Sequence, residues 1–448
     1  MNIPFAVSAF SLGQVAWIVL AAIWMWKRRD EIPLITSILL FYVFTFRLWA
    51  LLNGWTSPVN LSNFGFESVE ADNAVAVLGI ALWGESVFLA TYMLVQKRRL
   101  VVSGPIAPAP LLDWLRPWVF GLAVLCIPIA LVARRAVSVQ VESGRSMGFE
   151  ISGYLILFPL ALGGIAILLA VLWRVGGLPS PAHKAAATAS FAVIAFLTFQ
   201  PSLRFQFFGW LLATMIIFSS GRSFVHQTFR MTIGLILAVG VFAVAGALRN
   251  AQDPQYDLQQ ETWERFAFAE DANMLDGFVL LRQIYPDILA YSKGGEHLEI
   301  LTRPIPRAWW PNKPVGGYMN KLGLITAETG FTLGISPSLF GSFYQEGGLP
   351  AMTLLAALYG LGLALLVRFS VRVLPLAGLL IRAIACAAIV PLLRGGDLPG
   401  IYAWFGMSFW PCVLLLLLRR REFFGGNLTA QSDSIANQTA LAVSSPRG

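Results

Sequence analysis

Long apolar blocks, almost free of charge, recur along the chain near 5–26, 33–52, 74–96, 117–133, 151–173, 185–200, 205–220, 230–248, 349–367, 376–393 and 399–418. At 1.5 Å per residue a block of about 20 residues crosses a hydrocarbon core of about 30 Å. No water is available there, so each backbone must satisfy its own polar groups as a helix. Composition agrees. Hydrophobic residues make up 57% of the 448 positions and charged ones 12%, against about 25% charged in a soluble domain. The expected fold class is an all-α polytopic membrane protein with about 11 transmembrane helices.

Residues 1–26 carry no positive charge ahead of their apolar run, and Lys27, Arg28 and Arg29 follow it. This is the pattern of an uncleaved first span with its N-terminus outside. With eleven spans the loops alternate in side. One set holds Lys27–Arg29, Lys97–Arg99, Arg116, Arg174, Lys184, Arg222, Arg230, Arg368, Arg372 and Arg419–Arg421; the short loops of the other hold only Arg134, Arg135, Arg145, Arg204 and Arg394. The positive-inside rule places the first set in the cytoplasm, hence a periplasmic N-terminus and a cytoplasmic C-terminus in a bacterial inner membrane. The net charge of +8 thus belongs to topology, not to nucleic acid. The shortest loop, QPSLRFQ at 200–206, also suits a re-entrant hairpin. The division expected is a bundle of about eight spans over 1–248, a periplasmic loop over 249–348, three spans over 349–421 and a disordered cytoplasmic tail over 422–448, rich in Ser, Ala, Asn and Gln.

The loop is too long and too aromatic to be a simple connector. Leu275, Phe278, Val279 and Arg282 fall at i, i+3, i+4 and i+7, which predicts a short amphipathic helix against the membrane surface. Between 250 and 300 there are ten acids and three bases; between 301 and 321 there are four bases (Arg303, Arg307, Lys313 and Lys321) and no acid. Four prolines in RPIPRAWWPNKP, residues 303–314, forbid a regular helix and stiffen the backbone. Arg303, Arg307 and Lys313 are thereby presented with little freedom to lose, an array suited either to a lipid-linked phosphate or pyrophosphate or to anionic headgroups. Trp309 and Trp310 either anchor the segment at headgroup depth or stack on a sugar.

Glu346 is the one carboxylate in GISPSLFGSFYQEGGLP, residues 334–350. It is either a base for an incoming hydroxyl or a helix-start carboxylate favoured by the dipole. Arg204, Arg394 and Arg47 lie near the outer ends of their spans. Glu85 and Arg382 fall near mid-span, where a lone charge costs roughly 2.5–3.5 kcal/mol; either they pair with each other or they line a polar cavity. Cys126, Cys386 and Cys412 read as small core residues. Neither they nor His183, His226 and His297 have metal-ligand spacing. No GxSxG, HExxH or phosphate-cradling glycine loop occurs. No metal and no cofactor is expected.

At Arg303, Pro306, Arg307, Trp310, Pro311, Lys313 and Pro314 the chain resembles the Wzy-type oligosaccharide repeat-unit polymerases of O-antigen and exopolysaccharide synthesis. Ser336, Pro337, Gly341, Tyr344 and Gly348 resemble that family's segment opening the next span. QPSLRFQ is similar to a family turn carrying an arginine, here Arg204, although it lacks the usual glycine-serine pair. The resemblance implies a GT-C-like fold and a membrane glycosyltransferase acting on undecaprenyl-pyrophosphate-linked oligosaccharide as donor and acceptor, among membrane lipids, alone or with a chain-length regulator. It also implies Arg303 and Arg307 at the pyrophosphate with Arg204, Arg394 and Lys313 in support, Glu346 or Asp276 as base, and Trp309, Trp310 or Tyr344 at sugar or lipid. An O-antigen ligase-like glycan transferase and a lipid-linked glycan flippase or transporter stand as alternatives.

Overall fold

The computed structural model describes residues 3–56, 66, 69–100, 107–142, 157–199, 204–220, 222, 224–251, 273–303, 305, 309–310, 318–322, 336–396 and 398–424. Among them there is no strand, only a single β-bridge between Ser338 and Gly395. Each of the eleven predicted apolar blocks is helical over most of its described residues. Eight helices are long and apolar enough to cross a bilayer, so the chain is an all-helical, multi-pass membrane protein.

In chain order the helices are α1 (Ile3–Arg28), α2 (Ile32–Leu40), α3 (Arg47–Leu52), α4 (Ala71–Val95), α5 (Ala109–Glu142), α6 (Leu157–Arg174), α7 (Pro181–Thr198), α8 (Arg204–Ser219), α9 (Phe224–Ala251), α10 (Met274–Ile284), α11 (Gly295–Thr302), α12 (Tyr318–Lys321), α13 (Ser338–Ser370), α14 (Pro375–Arg394) and α15 (Leu398–Leu418). Phe41–Phe46 wind as a π-helix that joins α2 to α3 into one span. Of the three predicted spans outside the eight, α7 is a polar-ended helix of 18 residues, α8 has a shorter apolar stretch over Phe207–Ser219, and α9 is 28 residues long.

Two buried cores lie side by side. One gathers α1–α4, α10 and α13; the other gathers α5–α8 and α15. Helix α14 contributes to both, with Ile389, Val390 and Leu393 facing the first and Leu376, Ala383 and Ala387 the second. The three cysteines are buried in these cores, as their apolar surroundings predict. Glycines set the closest helix approaches, as expected where packing rather than water drives association. A Cβ at Gly360 of α13 would run into the Phe88 carbonyl of α4, and one at Gly209 of α8 into the Ala387 carbonyl of α14.

The basic residues predicted to share a side do gather at one end of the bundle. There the Leu100 N–H donates to the Arg28 carbonyl (2.7 Å), Arg174 donates to the Ser220 carbonyl (2.8 Å), and the Leu374 N–H donates to the Phe423 carbonyl (3.1 Å). This is the basic end; α10, α11 and the start of α13 mark the opposite, loop end. Phe423 is buried, so the ordered chain runs into the predicted tail, and 425–448 lie outside the described residues.

Helix α10 departs from expectation. It does not rest on the membrane surface: Met274 to Leu281 and Ile284 are all buried, against α4 and α13. The predicted stripe of Leu275, Phe278 and Val279 is real, but Met274, Leu280 and Leu281 make the other faces apolar as well, so the helix sinks into the bundle instead of floating on it.

Gly360→Ala is expected to lower the thermal unfolding midpoint in detergent, because overpacking costs about 1–3 kcal/mol. Gly362→Ala, with open space around its Cβ position, is expected to leave the midpoint unchanged. Equal midpoints for the two variants would refute the close approach of α4 and α13.

Candidate functional site

Sinking α10 carries Asp276 into the core, where its carboxylate meets Arg47. The guanidinium grips both oxygens, Nε to Oδ2 at 2.8 Å and Nη2 to Oδ1 at 3.1 Å, with the side chains 3% and 0% exposed. Arg47 follows directly on the π-helix, whose wider turn inserts an extra residue and re-aims what comes after it. Such a bidentate pair is short and strong, and it welds the loop to span two. Asp276, one of the two expected bases, therefore has both oxygens engaged by a cation.

Glu346 has a different setting. Helix α13 is broken at Gly347 and Gly348, whose backbone angles are not helical. Gly348, at φ +69, also lies where a side chain would meet the Tyr291 hydroxyl. The first segment of α13 thus ends at Glu346, and its carboxylate turns toward the chain between α10 and α11. Oε2 accepts from the Ser292 hydroxyl at 3.0 Å and the Gly294 N–H at 2.6 Å; Oε1 lies 2.8 Å from His297 Nδ1. His297 Nε2 lies 3.0 Å from the Tyr359 hydroxyl, and Tyr359 is hydrogen-bonded to Tyr402 of α15. With the proton on Nδ1, the histidine donates to Glu346 and accepts from Tyr359. The result is a continuous relay, carboxylate to imidazole to phenol, of the kind that moves a proton without moving the heavy atoms.

Around this relay the expected motif residues converge in part. Ser336 donates to the carbonyls of Arg394 (2.8 Å) and Gly395 (2.7 Å), and the Gly396 N–H donates to the Ser342 hydroxyl at 2.9 Å. The SPSLFG stretch is thereby clasped to the end of α14 that bears Arg394. Gly395, at φ +67, leaves no room for a Cβ beside the Ser338 backbone, and Ser338 is itself held at φ +65. Left-handed backbone at a non-glycine residue is strain of about 1–3 kcal/mol and concentrates at functional sites.

Tyr344 stands edge-on to Phe278 and Tyr291, with centroids 5.6 and 6.3 Å away, and Tyr291 stacks on Tyr285. Burial, and then the nearby carboxylates led by Glu296, push the Tyr285 hydroxyl well above its ordinary range. Arg303 caps α11, about 9 Å along the helix from His297 at 1.5 Å per residue. Lys321 is paired with Glu296 at 2.5 Å and with Glu299 at 3.9 Å. Trp309 and Trp310 are exposed. Arg307 and Lys313 lie outside the described residues, as does the Arg204 side chain at the start of α8.

The two mid-span charges do not meet each other. Arg382 reaches Glu31 at 3.3 Å near the basic end, while Glu85 accepts from Gln14 at 3.0 Å, and the Gln14 amide oxygen takes the Thr45 hydroxyl. Each charge found a nearer polar partner. Sequence reasoning missed Tyr359 and Tyr402, and it singled out Arg47 and His297 without their partners Asp276 and Glu346. His297 was weighed only as a metal ligand, and the signal for its role was available in the Ser-Lys-Gly-Gly-Glu-His turn at 292–297, a chain reversal able to face a carboxylate.

Compared with known protein families, with curated proteins and with solved structures, the chain matches none.

Arg47→Met strips Asp276 of its bidentate partner, and breaking such a pair costs about 3–5 kcal/mol. The expected outcome is a large drop in the unfolding midpoint, recovered in good part by adding Asp276→Leu. A single variant as stable as the parent would show that the carboxylate does not depend on Arg47.

Proposed function

We propose that the protein is a membrane glycosyltransferase that joins polyprenyl-pyrophosphate-linked oligosaccharide repeat units at the periplasmic face. The observation that carries this reading is the meeting of the Glu346–His297–Tyr359 relay with the chain that runs straight on into RPIPRAWWPNKP. The relay supplies a proton acceptor; the adjoining segment supplies rigid guanidinium groups and exposed indoles. The gathering of Lys and Arg at the other end supports a periplasmic loop end through the positive-inside rule.

The reaction needs little else. The acceptor hydroxyl attacks the anomeric carbon of the donor glycan, the carbon–oxygen bond to the pyrophosphate breaks, and the lipid pyrophosphate departs with the electron pair. Its growing charge is met by Arg303 and Arg307, with Arg394, Arg204 and Lys313 in support. The hydroxyl proton passes to the Glu346–His297 couple. Asp276, clamped by Arg47, holds α10 in place and is the weaker choice of base. Trp309 and Trp310 steady sugar or lipid, and Tyr344 shapes the aromatic wall. Orientation of the two substrates accounts for the rest of the rate.

The transport alternative draws on Glu85 and Arg382 as charges at mid-membrane; each is engaged inside the protein, Glu85 by Gln14 and Arg382 by Glu31.

Purified protein in liposomes, given lipid-linked repeat units, is expected to lengthen the glycan without any ion gradient. Arg307→Lys keeps the charge and loses the fork, so product is expected to fall by about tenfold or more at equal protein level. Glu346→Gln is expected to leave single repeat units unjoined. Undiminished chain length in both variants, or glycan crossing the bilayer without growing, would sink the assignment.

A further inference from the structure

At the basic end a partly open cavity of about 110 Å³ lies among the α1–α2 turn, the chain after α4, the α8–α9 turn and α14. Its volume is that of three or four waters at roughly 30 Å³ each, which suits one phosphate group. Four arginines line it: Arg29, Arg99, Arg222 and Arg382. One carboxylate, Glu31, lines it with them, and a second, Asp30, sits behind.

Positive-inside arginines ordinarily stand in water and need no cavity. Here Arg382 is buried and Arg29 half-buried. Arg382 is 5% exposed; its Nη2 is 3.3 Å from Glu31, its Nη1 is 3.5 Å from the Ser220 hydroxyl, and Asp30 is the second acid within its electrostatic reach. Glu31 is also committed elsewhere, since Gln227 donates to its other oxygen. Arg29 is held at φ +60, a left-handed backbone that a non-glycine residue adopts only under constraint. Its guanidinium lies over the Phe224 ring at 5.3 Å, and its Nη1 is buried with no hydrogen-bond partner among the described residues. A buried guanidinium nitrogen left without an acceptor is destabilising. Arg99 and Arg222 stand exposed at the rim. Asp30 adds little counter-charge inside the cavity, because its carboxylate is turned to Tyr92 (2.8 Å) and Trp24 (3.3 Å).

We propose that this cavity is an anion site for a phosphate group, with Arg382 and Arg29 as its floor and Arg99 and Arg222 as its mouth. Guanidinium forks on opposite walls suit the tetrahedral oxygens of phosphate. The group reaches the cavity either on the headgroup of an anionic lipid, since the bundle end lies at headgroup depth, or as a soluble phosphate. The site is separate from the loop-end chemistry and stands or falls without it.

The full-length protein is purified in a neutral detergent, and unfolding midpoints are followed at constant ionic strength. The probes are inorganic phosphate and, after reconstitution, nanodiscs of phosphatidylcholine with and without phosphatidylglycerol. Retained phosphatidylglycerol is counted by native mass spectrometry. Arg99→Gln combined with Arg222→Gln alters only exposed side chains and preserves the fold; Arg382→Gln, which leaves Glu31 buried, serves as a second variant once its folding is checked by size exclusion. Stabilisation by either probe that weakens at least tenfold in the rim variant supports the site. A response to phosphatidylglycerol alone identifies a lipid headgroup, and a response to inorganic phosphate alone identifies a soluble ligand. Absence of any response, or a response equal in parent and rim variant, overturns the proposal.

Discussion

The pairing of Arg47 with Asp276 governs how the rest of the molecule can be arranged. An ionised carboxylate inside an apolar bundle is tolerable only beside a cation, and desolvating the two ions costs several kcal/mol each before they meet. The pair gains its worth by choosing one arrangement: α10 can enter the core in a single register, the one that brings both carboxylate oxygens to the fork of Arg47. Once α10 is seated, Phe278 lies against Tyr344, and the chain leaving α10 is delivered to the broken end of the first segment of α13. The Ser292 hydroxyl, the Gly294 amide and His297 then all reach one carboxylate. A loop that merely floated on the lipid would supply none of this order.

Glycine does the complementary work. The break at Gly347 and Gly348 lets Glu346 end a helix instead of continuing one, and the left-handed turn at Gly395 and Gly396 lets the end of α14 press against the start of α13. Around both turns the side chains are hydroxyls and aromatics. They can hydrogen-bond backbone that has left the helix, which is the condition for irregular chain at membrane depth.

How much of this was legible in the sequence follows the physics. Apolar blocks declare themselves because a hydrocarbon slab demands about 20 residues of helix whatever lies beside them; each of the eleven is helical over most of its described residues, and eight helices meet the length and hydropathy of a span. The clustering of Lys and Arg at one end was legible for a similar reason, since charge bias is a local property. Partner choice was not. Arg382 lies eight residues into its helix, where sequence leaves open a pair with Glu85 or a place lining a polar cavity; in the fold its partner is Glu31, in the turn beside it. The fate of α10 was misjudged because four residues define a stripe, while burial depends on whether the remaining faces are also apolar. Only the fold brings Glu346 and Tyr359 to the two nitrogens of His297.

The two ends of the bundle handle charge in opposite ways, and burial tells which charges act as more than topological markers. Among the described residues of the loop end, Arg47 pairs with Asp276 and Lys321 with Glu296, while Glu346 is held by hydrogen bonds to Ser292, Gly294 and His297. At the basic end Lys97 and Arg98 are exposed, the setting in which a positive-inside residue stays in water. Burial and Glu31 beside it push the Asp30 carboxyl up to about 6, a sign of how strongly this turn is withdrawn from solvent even in a basic neighbourhood. Arg382 shares that withdrawal. A guanidinium placed two turns inside a helix contributes little to orientation that a terminal lysine would not, so its burial calls for a structural or binding reason. The lone ion pair with Glu31 provides the structural part, and the arginines that converge on the same cavity exceed what that one carboxylate can balance.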